Sequence, residues 1–200
     1  MCIRDSQCAV IGEDLGTVPE GLRETLASAN ILGTRVLWFE RKGPDFLPPA
    51  NYPSLAIACA STHDLPTLAG WWSGADIAEQ MSLELFNLDE AQRRIGERNA
   101  EKRTLAQALL VGGLIEVGPD YDAPLTDSFA GAVHAWLAGS ASLLATAQID
   151  DLAGEKIANN LPGTDKERPN WRHRLEKNVE ELMASARARA IIAALAGARP

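Results

Sequence analysis

Two short stretches of this chain hold the side chains best suited to acid–base chemistry. Glu13 leaves an apolar run, Cys8-Ala9-Val10-Ile11-Gly12, and opens the sequence Glu13-Asp14-Leu15-Gly16. His63 and Asp64 leave a second apolar run, Leu55–Ala60, through Ser61 and Thr62. A carboxyl group at the end of a buried strand stands on a rigid support, can reach a cleft, and can there give or take a proton. Each residue also has an ordinary reading. Glu13 can be a solvated acid, Asp64 can cap the helix that Pro66 opens, and His63 can hydrogen-bond within its own turn.

The elements that would position these groups alternate in the first third of the chain. Ala9–Gly12 reads as a short buried strand. A helix is expected from about Pro19 to Asn30, with Thr17 and Glu20 spaced as a capping box and proline in the first turn. Thr34–Glu40 (TRVLWFE) reads as a second strand, Gly43–Pro53 as a Pro- and Gly-rich loop, and Leu55–Ala60 as a third strand followed by a helix toward Trp71-Trp72. This strand–helix order means α/β with a parallel sheet. The middle is helical: Leu88–Leu114, with Asp89 as a cap and Gly112-Gly113 as a stop, then a helix near Phe129–Gly139 beyond an acidic turn region. Ser142–Ile149 reads as a fourth strand, 159–171 as an irregular loop, and about Leu175–Leu195 as a helical tail. Four parallel strands with acids at their C-terminal ends suggest half of a (β/α)₈ barrel, whose active sites lie on that face. At roughly 31 residues per strand–helix unit of a ~250-residue barrel, Glu13 and Asp64 fall two strands apart and face one mouth. The long run from Asp64 to Ser142 implies a helical insertion.

Composition narrows the partners. With 200 residues, 46% of them hydrophobic, the chain can bury a core. The formal charge of −8 argues against nucleic acid, because phosphate recognition needs massed Lys and Arg. Here the basic residues are spread, apart from Lys166 to Arg174 and a few arginines near the end. An acidic surface suits a neutral sugar or polyol, as it does many other partners. Cys2, Cys8 and Cys59 match no zinc spacing and read as reduced thiols of a cytoplasmic protein. His63, His134 and His173 are far apart in sequence, so no metal and no cofactor is expected. No stretch approaches the ~20 apolar residues of a membrane span. Met1–Ser6 (MCIRDS) lacks the order of a signal peptide and reads as a non-native scar, with residues 7–200 starting inside a domain.

Taken together, EDLGTVPE after one strand, STHDLPTLAGWW after another and NLPGTDKERPNWRHRL near the end resemble the amylomaltase family of 4-α-glucanotransferases, as does NILGTRVLWFERKGPDFLPPANYP between the first two blocks. The resemblance covers nearly everything after residue 7. It implies that Glu13 is the general acid/base and that Asp64 is the third carboxylate, binding sugar hydroxyls at an oxocarbenium-like transition state. It further implies that His63 donates to the same ring and that Asn160, from NLPGT, contacts the sugar. Trp71, Trp72 and Trp171 could offer stacking surfaces or pack in the core. The implied substrate is a maltooligosaccharide or a glucan derived from starch or glycogen; oligomeric state stays open. Retaining cleavage uses a nucleophilic carboxylate and a second carboxyl roughly 5–5.5 Å away that acts as acid and then as base. The family's nucleophilic Asp lies upstream in an Arg-x-Asp context. Ile3-Arg4-Asp5 is the nearest string, and Asp5 is too close to Glu13 to stand on its own strand. The nucleophile is therefore expected to be absent and the chain inactive alone. Two alternatives remain: a fragment of a retaining α-glucan hydrolase, and a non-catalytic sugar-binding barrel remnant.

Overall fold

Parallel strands need crossovers long enough to return the chain to the same end of the sheet, and the spacing of the apolar runs provides them. The computed structural model describes residues 8–198. The expected scar at residues 1–6, with Cys2 and Asp5, lies outside the described residues. Leu32 donates its N–H to the Val10 carbonyl at 2.9 Å, and Gly12 donates to the Leu32 carbonyl at 2.7 Å, a parallel bridge between Ile11 and Leu32. Between them runs α1 (Leu22–Ser28), and β1 (Gly33–Val36) follows directly. The loop expected over Gly43–Pro53 contains more order than foreseen. β2 (Arg41–Lys42) pairs antiparallel with β3 (Asp45–Phe46), and a 3-10 turn covers Pro49–Asn51. β4 (Ala56–Cys59) comes next, then α2 (Leu68–Ser73), α3 (Ala75–Ser82), α4 (Leu88–Val111) and α5 (Asp127–Ala138). β5 (Leu144–Thr146), α6 (Ile149–Ala153), α7 (Val179–Ala184) and α8 (Ala186–Ala198) complete the order.

The sheet runs β1-β4-β5, all parallel, with Gly33 opposite Ala56 and Ile57 opposite Leu144. Where about four strands were expected, three strands and the single bridge at Ile11 are formed. The segments still lie side by side, so the C-terminal ends of the Ile11 segment, β1, β4 and β5 share one edge. The fold is α/β with a parallel sheet and helices.

Helix starts follow the donors that need partners. Thr67, Asn87 and Thr126 each accept from the backbone N–H three residues on, and Asn178 with Glu181 forms a reciprocal capping box. The caps expected at Asp89 and at Thr17–Glu20 are not formed. α1 begins at Leu22 behind Gly21 (φ 80°) with no side-chain cap, shorter than the expected 19–30. The tail is two helices, split where Ser185 takes an extended backbone (ψ 151°).

α5 is apolar around most of its circumference and is accordingly buried. It packs against α8, whose Ala188 and Ile191 are wholly buried. Leu105, Leu109 and Leu137 have no exposed surface, each contributing roughly 1.5–3 kcal/mol by burial. Trp71 stacks on Trp38 at 4.4 Å, and Trp72 tilts against Phe129 at 4.8 Å while its indole N–H donates to the Ala123 carbonyl at 3.0 Å. Among the described residues, no helix is long and apolar enough to cross a membrane.

Candidate functional site

Alternation at the end of the Ile11 segment sends Glu13 outward and Asp14 inward. Glu13 is exposed, whereas Asp14 is 3% exposed. Asp14 accepts the Thr34 N–H at 2.7 Å, Arg35 Nη1 at 2.9 and 3.1 Å, and Arg23 Nε at 2.9 Å. Burial works against its charge. The Arg35 guanidinium, the Thr34 N–H and Arg23 outweigh burial, so the carboxyl lies below its ordinary range. Thr34 Oγ1 also donates to the Gly12 carbonyl at 2.9 Å. The residues on either side of Glu13 are thus riveted to β1. Gly33 leaves room for this: a Cβ there would stand 3.1 Å from Asp14 Oδ1.

The second strand end is pinned separately. Ser61 Oγ donates to the Pro66 carbonyl at 2.6 Å, and the Leu65 N–H donates to the Thr62 carbonyl at 3.2 Å, closing the turn that carries His63 and Asp64. Thr67, not Asp64, caps α2, so the Asp64 carboxylate is not consumed by the helix. The start of α2 is held from behind. Asp151 Oδ1 accepts the Leu68 N–H at 2.7 Å, and Thr67 Oγ1 donates to the Glu155 carbonyl at 2.5 Å. Asp151 is buried beside His134, whose Nε2 lies 3.8 Å from its Oδ2, and burial pushes the Asp151 carboxyl up despite that neighbour. Cys59, at the end of β4, is buried, with Sγ 3.7 Å from the Arg35 carbonyl. Burial, together with the charges of Asp151 and Glu13, pushes its thiol up to about 12.

The two strand ends meet. One ligating atom from each of Glu13, His63 and Asp64 falls within a set whose members all lie within 4.8 Å of one another. His63 Nε2 is 3.4 Å from Asp64 Oδ1, and both side chains remain open to solvent (46% and 39% exposed). Asn160 Nδ2 donates to the same Asp64 oxygen at 2.6 Å. The four residues singled out from the sequence therefore share one open site at the C-terminal edge of the sheet. Three such donors could also ligate a divalent cation, but exposed acidic groups are common without one.

The tryptophans divide. Trp71 and Trp72 are core, at 4% and 2% exposure. Trp171 is 62% exposed, with its ring centroid 5.2 Å from that of His63. Sequence reasoning missed the groups that hold the site together: Asp14, Thr67, Asp151 and Arg168. Arg168 is buried and places its guanidinium on Glu79, Asn170 and the carbonyls of Ala158 and Asn159. A charged residue inside an otherwise irregular loop was the one available signal, and it reads equally well as a solvated charge.

Comparison with known proteins identifies the family. A 4-alpha-glucanotransferase family model matches residues 2–180. The 4-alpha-glucanotransferase of Haemophilus influenzae is 32% identical over 183 residues, covering 90% of this chain and 26% of that protein. That of Mycobacterium tuberculosis is 32% identical over 168 residues, covering 82% and 23%. The chain thus spans about a quarter of the length of these curated relatives. Among solved structures, amylomaltase from Corynebacterium glutamicum superposes with a TM-score of 0.82 at 29% identity, covering 94% of this chain and 29% of that one. Amylomaltase from Streptococcus agalactiae in complex with acarbose shares the fold, with a TM-score of 0.59 at 21% identity. With the family match spanning most of its length, this chain belongs to the 4-alpha-glucanotransferase family.

Proposed function

We propose that this chain supplies the acid/base half of the active centre of a 4-alpha-glucanotransferase that moves α-1,4-glucan segments between maltooligosaccharides. The observation that carries the reading is the meeting of Glu13, His63 and Asp64, with Asn160 bound to Asp64, at one solvent-open edge. Glu13 protonates the departing glycosidic oxygen and later takes the proton from the 4-hydroxyl of an acceptor sugar. Asp64, oriented by Asn160, holds hydroxyls of the ring being cleaved and favours the oxocarbenium-like transition state, with His63 donating beside it. Sugars are neutral polyols, so this open set of acceptors and donors suits them without any basic patch.

In this reading residues 7–200 form the C-terminal half of a (β/α)₈ barrel, with α2–α5 as a helical insertion between the strands at Ile57 and Leu144. The parallel order and the gathering of acids at one end support it. The nucleophilic carboxylate of the double displacement comes from the remaining length of the protein, so this chain alone turns over nothing.

The test is maltotriose disproportionation by a full-length protein carrying this segment. Longer dextrins should accumulate together with glucose, and Glu13→Gln should lower turnover by at least the roughly 10²–10⁴-fold that positioned acid–base catalysis supplies. Full activity in that variant removes Glu13 from the role. Release of glucose without longer products makes the protein a hydrolase instead.

A further inference from the structure

Asp150 and Asp151 are consecutive acids in the first turn of α6. The register of β5 brings them to the site: Thr146 lies opposite Cys59 of β4, and α6 opens three residues later, beside the turn that carries His63 and Asp64. Side chains at adjacent helical positions do not face the same way, and these two part at once. Asp151, 2% exposed, accepts the Leu68 N–H on Oδ1 at 2.7 Å. Asp150, half-buried, accepts from Asn159 Nδ2 on Oδ2 at 2.9 Å. Leu68 follows Asp64 by four residues, Asn159 directly precedes Asn160, and Asn160 Nδ2 donates to Asp64 Oδ1 at 2.6 Å. Three hydrogen bonds therefore close a ring. It runs from Asp64 along the chain to Leu68, across to Asp151, over one peptide bond to Asp150, across to Asn159, and through Asn160 back to Asp64.

The ring has little slack. Thr67 Oγ1 donates to the Glu155 carbonyl at 2.5 Å, and His173 Nε2 stands 3.1 Å from Glu155 Oε2, so the segment after α6 is tied both to α2 and to the chain beyond Asn160. Asp151 is also backed from behind. His134 Nδ1 lies 2.9 Å from the Ala130 carbonyl, which can only accept, so that nitrogen carries the ring proton. Nε2 of the same imidazole faces Asp151 Oδ2 at 3.8 Å, and both atoms are buried with no hydrogen-bond partner among the described residues. Burying a carboxyl carries a desolvation penalty that a neighbour at this distance offsets only in part. Stability alone therefore does not account for an acid at position 151.

We infer that Asp150 and Asp151 are positioning residues for the transfer reaction: by closing this ring they set Asn160 against Asp64 and so fix the orientation of the carboxylate offered to the sugar. Each acts through the Asp64–Asn160 contact rather than on the sugar itself. The inference rests on the glucan reading above and adds two residues to it.

The test is steady-state maltotriose disproportionation by the full-length protein carrying this segment. Opening the ring with Asp150→Ala should lower kcat about tenfold or more and leave KM nearly unchanged, since displacing a catalytic group by about an ångström costs up to roughly 10²-fold. Asp150→Asn keeps an acceptor at the same point and should recover most of the loss. Asp151→Ala should lower kcat to a similar degree. Because it also empties a buried position, Asp151→Asn, which still accepts from Leu68, is its folded comparison and should recover most of that loss. The deciding measurement is a cycle with Asn160→Ala. Once that substitution has opened the ring, adding Asp150→Ala should lower kcat by no more than about twofold further, whereas a merely structural role makes the two losses multiply. Full multiplication overturns the inference, as does a native kcat in Asp150→Ala or no recovery in Asp150→Asn. No transfer by the protein with Asp150, Asp151 and Asn160 all native would bring down the glucan reading and this inference with it, a result distinct from the others.

Discussion

Asn160 donates from Nδ2 to Asp64 Oδ1 at 2.6 Å across a separation of 96 positions. The contact fixes the carboxylate plane and leaves Oδ2 for a ligand hydroxyl. A hydrogen bond to a charged group contributes about 1.5–3 kcal/mol, so Asn160→Ala in the full-length enzyme should lower kcat for maltotriose roughly 10- to 100-fold. Asn160→Asp should lose more, since it sets a like charge against Asp64. Saturation kinetics on both variants check this, and an unaltered kcat in Asn160→Ala would free Asp64 from this partner.

The Asp14 clamp makes a pH-dependent prediction. Asp14→Asn removes the closer carboxylate of the nearly buried Arg35, leaving it Glu40 at 3.9 Å, and should cost about 3 kcal/mol at neutral pH. The folded-state pKa of Asp14 is lowered. Its stabilisation is therefore complete above the unfolded value near 3.8 and drains away as pH falls from there through the lower folded value. Denaturation midpoints of the native protein and the variant should consequently stand far apart at pH 7 and converge below about pH 4. A constant gap across that range would mean that charge is not what Asp14 contributes.

Two glycine substitutions should act with opposite signs. A Cβ on Gly70 would lie 2.3 Å from the Lys156 carbonyl oxygen and 2.9 Å from Thr67 Oγ1. Gly70→Ala must therefore push α2 away from the segment leading to Asn160, and should destabilise by about 2–3 kcal/mol while reducing turnover. Gly96, inside α4, has nothing within 4 Å of the added methyl, so Gly96→Ala should gain roughly 0.5–1 kcal/mol. Thermal melts of both read the difference directly.

Cys59 should be chemically silent in the folded protein. With its thiol pushed up to about 12 by burial, almost no thiolate exists at pH 8, and the thiolate is the reactive form. In a variant carrying Cys2→Ser and Cys8→Ser, a maleimide should label Cys59 only after denaturant is added. Rapid stoichiometric labelling without denaturant would show that the end of β4 opens.

Much of the site was legible because its residues sit where strands end, and strand ends are marked by apolar runs meeting polar turns. β4 was expected over Leu55–Ala60 and spans Ala56–Cys59, and α4 and α5 lie within two or three residues of expectation. What was not legible depended on contacts between distant segments. The Thr17–Glu20 pattern is a sound local cap, but the backbone turns left-handed at Gly21 and starts α1 there. The tail reads as one helix on composition, and the break at Ser185 is marked only by a serine, whose Oγ accepts the Ala188 N–H at 3.2 Å at the start of α8. Asp14 and Glu13 are adjacent acids with opposite fates, decided by Arg35 and Arg23, which arrive only on folding. Trp71, Trp72 and Trp171 are likewise the same residue with different surroundings: two fill the interior and one faces water.

The register that sets Ile57 opposite Leu144 bears on how quickly the molecule can assemble. Joining strands so distant in sequence means closing a long loop before any contact rewards it, and chains rich in such pairings fold slowly. Helices α2 to α5 lie inside that loop and need only local contacts. On refolding, far-ultraviolet ellipticity should return early, while protection of the Cys59 thiol, which lies opposite Thr146 across that loop, should be the last property restored.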